Sequence, residues 1–315
     1  MQPDILAAPL TPSPGPRAPW RLALAYAWHM LMAGGIRRAI RYLARTVASP
    51  QATGRWLAYI EDGPARQAPL ATRLDLAQKI HRPLGRRDLG LTDRIALLQA
   101  HYDGLADRLS APAIARLAGG RAIGLATLAG RSGRSYHLTV GRDCRFGKEG
   151  ELTLALRTDN PAISLAVVTV LIGRAPDGHR LLSIGGLQGP AKPHGRDDVV
   201  AATRDLHGLR PKGAALAAAC LLARWLDAGG IVAVSNDTHV GHDLPRRRPV
   251  HADYDSFWIE LGGVRRTDGD YDLPVEPPRR AIDDVPARKR RDWLRRMAMI
   301  DDLAGQLRRS LDAAL

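Results

Sequence analysis

Residues 179–189 read HRLLSIGGLQG, residues 209–230 read LRPKGAALAAACLLARWLDAGG, and residues 231–240 read IVAVSNDTHV. The first segment is an apolar strand ending in paired glycines. The second is an alanine- and leucine-rich helix opened by an Arg-Pro-Lys-Gly turn, with Pro211 suited to the first helical turn, and Gly229-Gly230 stops it. The third is a strand that ends in polar residues. Strand, helix and strand in this order predict a crossover unit. Such a unit brings a helix N-terminus and strand ends to one mouth, where anionic groups bind.

Outward from that unit the pattern is regular. Ile123–Ala129 is apolar, and Ser135–Val140 alternates at period two. Glu151–Arg157, Ala162–Ile172 and His179–Gly185 follow as further strands, separated by GRSGR, GRDCRFGKEG, DNP and APDG turns. Strands joined by short turns predict an antiparallel meander. Asp197–Leu206 reads as a helix ended by Gly208, Phe257–Leu261 as a strand, and Ala287–Leu311 as a basic helix carrying KRRDWLRR. Before Gly119 the signals are helical from Trp20 to about Ala118. Thr92 is expected as an N-cap there, and His101-Tyr102 are expected at or just past a helix end. Residues 1–19 are Pro-rich and expected to be irregular. The fold class expected is α+β: an antiparallel-to-mixed sheet with a strand-helix-strand core, preceded by a helical region. The division falls between residues 1–118 and residues 119–315.

The chain has 315 residues, 45% hydrophobic and 25% charged, which is ample for a core and too apolar for a disordered chain. Its formal charge of +14 concentrates anions such as phosphates, CoA or acidic lipid head groups. Nucleic acid is not expected as a partner: no nucleic-acid motif accompanies the charge, and two Phe are a poor supply of stacking platforms. Cys144 and Cys220 make neither a disulfide framework nor a metal spacing, which suits a reducing cytoplasm. The start lacks a basic n-region followed by an apolar core. Leu22–Ile36 is too short to span a bilayer; it could serve as a docking or interfacial helix, and packing onto the main domain is the expectation.

Three groups of residues could carry chemistry. The turn at the alanine-rich helix offers Arg210, Lys212, Gly213 and Ala215, an R-x-x-G-x-A pattern whose backbone amides and helix dipole favour a negative charge. The polar strand end offers Asn236 as an oxyanion donor and His239 as a base, with Tyr254 as an acid and Glu260 as a further base downstream. Gly185-Gly186 would let a ligand or another backbone come close, and Gln188 could bond an amide. Glu149 and Glu151 could supply a base or read a cation, although paired acids in a turn are commonly just solvated. The histidines show no H-x-x-x-H or H-E-x-x-H spacing, so no metal is expected.

Strands, a helix opening R-x-x-G-x-A and one more strand resemble the core of the GNAT acyltransferases. In that superfamily the turn follows its strand directly, whereas here residues 190–209 intervene. The resemblance implies that Arg210, Gly213 and Ala215, with added charge from Lys212, hold an acyl-CoA or another anionic acyl or aminoacyl donor, and Gln188 is the candidate to bond an amide such as that of pantetheine. Across nearly the whole chain after Trp20, an ordered series of phrases resembles the VirK/YbjX family of bacterial proteins. It includes WLAYI (56–60), GRSGRSYHLTV (130–140), FGKEGELTLAL (146–156), IGGLQGP (184–190), ATRDLHGLRPKG (202–213), VAVSNDTHV (232–240), ADYDSFWIELGG (252–263) and DGDYDLP (268–274). That resemblance implies influence on the bacterial envelope, on virulence or on antimicrobial-peptide resistance, and it supplies no catalytic residues. The expectation is a cytoplasmic protein, peripheral to the inner membrane, acting on an envelope precursor, peptide or lipid. The reading from another class is a non-catalytic, chaperone-like factor using the basic surface and aromatics such as Trp225 and Trp258.

Overall fold

The computed structural model describes residues 19–191, 195–241, 253–276, 279 and 281–314. The expectation for residues 1–18 lies outside this range, while Pro19 already opens a helix. Six helices come first: α1 (Pro19–Gly34), α2 (Ile36–Ala48), α3 (Pro50–Asp62), α4 (Leu70–Lys79), α5 (Leu91–Ala106) and α6 (Ala111–Ala118). The first five pack round Trp56, Leu57, Ile60, Leu76, Ile80, Leu84 and Leu98, whereas Ile114 and Leu117 of α6 join the core on the sheet. The Trp56 indole N–H donates to the Leu76 carbonyl at 2.8 Å, so the largest buried ring leaves no polar atom stranded. His101 and Tyr102 stand inside α5, not at its end. Ile95, Leu98, Tyr102 and Leu105 form one buried stripe at helical spacing.

The meander follows as β1 (Ile123–Ala129), β2 (Ser135–Gly141), β3 (Leu152–Arg157), β4 (Ser164–Arg174) and β5 (Arg180–Gln188), each antiparallel to the last. Then come α7 (Arg196–Asp205), α8 (Pro211–Trp225) and β6 (Gly230–Ala233). β6 returns parallel to β5, as a crossover through a helix requires. The chain closes with α9 (Tyr254–Glu260), β7 (Val264–Arg265), β8 (Tyr271–Leu273) and α10 (Ala287–Asp312). Among the described residues the strands form one mixed eight-stranded sheet in the order β1-β2-β3-β4-β5-β6-β8-β7.

The segment Phe257–Leu261, expected as a strand, is helical. Asp253 caps it by accepting the Ser256 N–H, and Tyr254 and Trp258, four apart, turn one face into the core. Helix spacing with a cap outweighs the β-propensity of the aromatics.

β4 reads SLAVVTVLIGR and is buried from Leu165 to Gly173, because it is covered on both faces. Leu171 joins the helical cluster of Leu97 and Leu98. Val168, Val170 and Ile172 join a second cluster with Ala214, Ala215, Ala218, Ala219 and Leu222 of α8. Alanines at those positions let the helix axis sit close to the sheet. α10 lies on β1 through Leu303, Leu307 and Leu311. Gln306 takes the place of a neighbouring strand there: its Oε1 accepts from Thr127 N–H and its Nε2 donates to Thr127 C=O.

The helical part is tied to the sheet by polar bonds as well as by packing. Lys79 and Glu151, both buried, form an ion pair. The second oxygen of Glu151 accepts from the Tyr102 hydroxyl at 3.0 Å and from Arg142 Nε at 3.4 Å. The Arg142 guanidinium continues to Asp75 at 2.5 Å. His101 Nδ1 accepts the Ile172 N–H at 3.1 Å, so its ring is held neutral. A tongue at residues 84–88 reaches further. Gly85 N–H donates to Lys148 C=O, Arg86 bridges to His239, and Arg87 N–H donates to Thr238 C=O.

Candidate functional site

β5 and β6 run together only as far as the pair Ile184 and Ala233, with one more bond from Val234 N–H to Ile184 C=O. β5 then continues to Gln188, while the chain after Val234 turns away. Gly185 is the extra residue of a β-bulge between Ile184 and Gly186, and bulges re-aim the groups beside them. A cluster of polar side chains fills the opening between the parted strands.

Glu149 comes from the turn before β3. A Cβ on Gly185 would fall 1.9 Å from the Glu149 carbonyl oxygen, and one on Gly186 would fall 1.9 Å from its carboxylate Oε2. The paired glycines therefore admit another backbone and its carboxylate. Glu149 Oε1 accepts from Gln188 Nε2 at 3.0 Å, whereas the buried Oε2 has no hydrogen-bond partner among the described residues.

His239 sits beside it, with Nε2 3.5 Å from Glu149 Oε1. Its Nδ1 accepts the Gly241 N–H at 3.0 Å, which assigns the neutral ring's hydrogen to Nε2, the nitrogen facing Glu149. That nitrogen too is buried with no hydrogen-bond partner among the described residues.

Tyr254 completes the cluster from the start of α9. Its ring lies 5.2 Å from His239 and stacks on Trp258 at 6.0 Å. The hydroxyl accepts from Leu187 N–H at 3.3 Å and from Gln188 Nε2 at 3.1 Å, which leaves its own proton free to donate. Burial, reinforced by the Glu149 carboxylate, pushes this phenol above its ordinary range and keeps it protonated.

Asn236 acts as a clasp. Its N–H donates to Asp255, its Nδ2 to Asp253, and its Oδ1 accepts from Tyr254 N–H. It fastens the start of α9 to the end of β6, and Trp258 Nε1 adds a bond to Val234 C=O. Behind His239, Thr238 Oγ1 bonds Asp270, whose second oxygen takes the Arg86 guanidinium at 2.9 Å. Burial lifts the Asp270 carboxyl to about 6.

The remaining expected residues form a second group at the α8 N-terminus. Arg210 is the N-cap residue and pairs with Glu260 at 3.2 Å, both exposed. Lys212 lies over the Phe257 ring at 5.9 Å, and burial pulls its ammonium below its ordinary range. A Cβ on Gly213 would meet only Leu209, at 3.8 Å, and Ala215 is buried beneath the turn. Thus His239, Tyr254 and Gln188 meet around Glu149. Glu260, on the other face of α9, joins Arg210 instead. Tyr254 and Glu260 stand six positions apart at the two ends of α9, an axial rise of about 9 Å. Trp258 is core, and Trp225 donates to Asp312. The sequence signal for Glu149 was the Gly185-Gly186 pair, which marks a close approach without naming what approaches.

A family model described as a protein of unknown function (DUF535) matches residues 33–309. The chain belongs to the DUF535 family. This DUF535 chain is 31% identical over 285 residues to the uncharacterized protein YbjX of Escherichia coli K12, covering 89% of the chain and 84% of that relative. Two uncharacterized proteins of Haemophilus influenzae are each 29% identical. One matches over 124 residues, 39% of the chain and 42% of the relative; the other matches over 165 residues, 49% and 55%. No solved structure matches this DUF535 member.

Proposed function

We propose that the protein transfers an acyl or aminoacyl group to an amine or hydroxyl, on a GNAT-like core formed by β5, α8 and β6. The supporting observation is a buried, unpartnered carboxylate oxygen, Glu149 Oε2, where two parallel strands part. An isolated buried acceptor is costly, and such groups concentrate where a substrate supplies the missing partner.

In this reading the Lys212 and Gly213 amides, Arg210 and Lys212 hold an anionic donor head, such as that of acyl-CoA. An arm of about 9 Å then passes along α9 to Tyr254. Glu149 Oε2 takes the proton of the acceptor nucleophile as its lone pair attacks the acyl carbon. The Tyr254 hydroxyl gives its proton to the departing thiolate or alkoxide. His239 stands with Nε2 3.5 Å from Glu149 Oε1 and favours its carboxylate electrostatically, so it is a positioning residue. Gln188 holds both the acid and the base, and Asn236 keeps α9 in register. An envelope amine or lipid hydroxyl suits the acceptor side.

Thermal unfolding with 1 mM CoA, acetyl-CoA and an aminoacyl adenylate analogue tests the reading. A ligand present at about 100 times its Kd stabilises by about 2.7 kcal/mol. At least one is expected to raise the Tm, and Gly213→Glu is expected to abolish the shift. No shift with any of the three, or the same shift in Gly213→Glu, would remove the donor site. In that case the non-catalytic reading gains.

A further inference from the structure

One face of the α1–α2 pair has no protein cover among the described residues. Ala23, Tyr26, Ala27 and Met30 of α1 and Ala39 and Tyr42 of α2 turn into the helical core. On the other side of α1, Trp20, Leu24, Trp28 and Met32 recur every fourth residue in solvent, with Trp28 61% and Met32 70% exposed. Ile36, Ile40 and Val47 continue the apolar surface along α2. Arg21, Arg37 and Arg41 share it. The charge is one-sided: no Asp or Glu occurs from Ile5 to Ile60, while residues 19–60 carry six arginines.

These features select the occupant. Indole rings are apolar bodies with one polar edge and settle at the headgroup level of a bilayer. Guanidinium groups pair with phosphates, and the missing carboxylates remove the repulsion an anionic surface would exert. A large apolar patch rimmed by one sign of charge marks an interaction site rather than an ordinary surface. At 16 residues α1 is about 24 Å long, short of a hydrocarbon core of about 30 Å, so it lies in the interface rather than across it. Among the described residues no helix is long and apolar enough to cross a membrane.

We propose that the α1–α2 face docks the protein on an anionic phospholipid surface. Trp20, Trp28 and Met32 enter at headgroup level, and Arg21, Arg37 and Arg41 meet the phosphates. The proposal stands whether or not the opening between β5 and β6 binds a donor.

The test is co-sedimentation of the full chain with vesicles of phosphatidylglycerol and phosphatidylethanolamine, against pure phosphatidylcholine, over a salt series. Binding is expected on the anionic vesicles and is expected to fall with salt. Each arginine near such a surface contributes about fivefold, so Arg37→Glu with Arg41→Glu is expected to weaken binding at least about 25-fold. Trp28→Glu with Met32→Glu is expected to weaken it at least about tenfold at every salt concentration. Because all four side chains face solvent, both double variants are expected to keep the parent Tm. Equal binding to both vesicle types, or binding unmoved by either pair, overturns the proposal. So does a dimer in solution that the Trp28→Glu pair dissociates, because a second copy then covers the face.

Discussion

Replacing Glu151 by Gln strands Lys79. In the parent the Lys79 ammonium, 5% exposed, has the Glu151 carboxylate against it and one carbonyl, Gly150, at 3.4 Å. Arg142 keeps its bond to Asp75 after the substitution, so the uncompensated charge is that of Lys79. Burial, with Arg142 nearby, lowers this lysine from 10.5 to about 7. Breaking a buried pair from one side costs about 3–5 kcal/mol. Glu151→Gln is therefore expected to lose about 3–5 kcal/mol in urea unfolding followed by circular dichroism at pH 7, with an unchanged m-value. The paired replacement Lys79→Met with Glu151→Leu removes both charges and is expected to recover at least about 2 kcal/mol of that loss. A Glu151→Gln protein within about 0.5 kcal/mol of the parent would refute the reasoning. So would a double variant as unstable as the sum of its singles.

Acid is expected to act through His101, which burial and then Lys79 lower from 6.5 to about 3. The unfolded chain takes up this proton first, so stability is complete above about pH 6.5 and falls continuously toward pH 3, with about 2 kcal/mol lost by pH 5; a His101→Gln variant should lose that part of the slope in pH-dependent urea titrations. Gly185→Ala drives a methyl into the Glu149 carbonyl and is expected to cost about 1–3 kcal/mol, read as a lowered Tm. Asn236→Ala removes two side-chain bonds that hold α9 and is expected to cost about 1–3 kcal/mol. Hydrogen exchange should quicken at Ser256–Trp258 and stay unchanged in β1–β3.

The meander and the crossover helix were legible because both depend on local period. Ser135–Val140 alternates, and the run from Pro211 to Trp225 opens with a proline in its first turn and has two glycines shortly beyond its end. The Phe257–Leu261 segment misled because its aromatics favour strands, while the deciding signals were Asp253 as a cap and the spacing of Tyr254 to Trp258. His101 and Tyr102 looked like a helix end because a single stripe of apolar residues was not followed through them. Of the candidate site, Gln188, His239 and Tyr254 could be named individually, but their meeting could not. They are held together by contacts across 39 and 66 residues, from Gln188 to Glu149 and to Tyr254. Glu149 looked solvated because nothing local distinguishes a carboxylate in a turn from one pressed against two glycines. The opposite orientation of Glu260 follows from the helical period of a segment taken for a strand.

Gln306 mimics a ninth ladder partner for β1, and 179 residues separate it from Thr127. On a growing chain the whole meander is synthesised long before α10 emerges. Throughout that interval the amide and carbonyl of Thr127 face water, on a margin open to any extended peptide nearby. A nascent or proteolytically shortened protein lacking α10 would carry the same uncovered margin. The last helix thus works as a seal against self-association, and its arrival time sets how long the newborn protein is vulnerable.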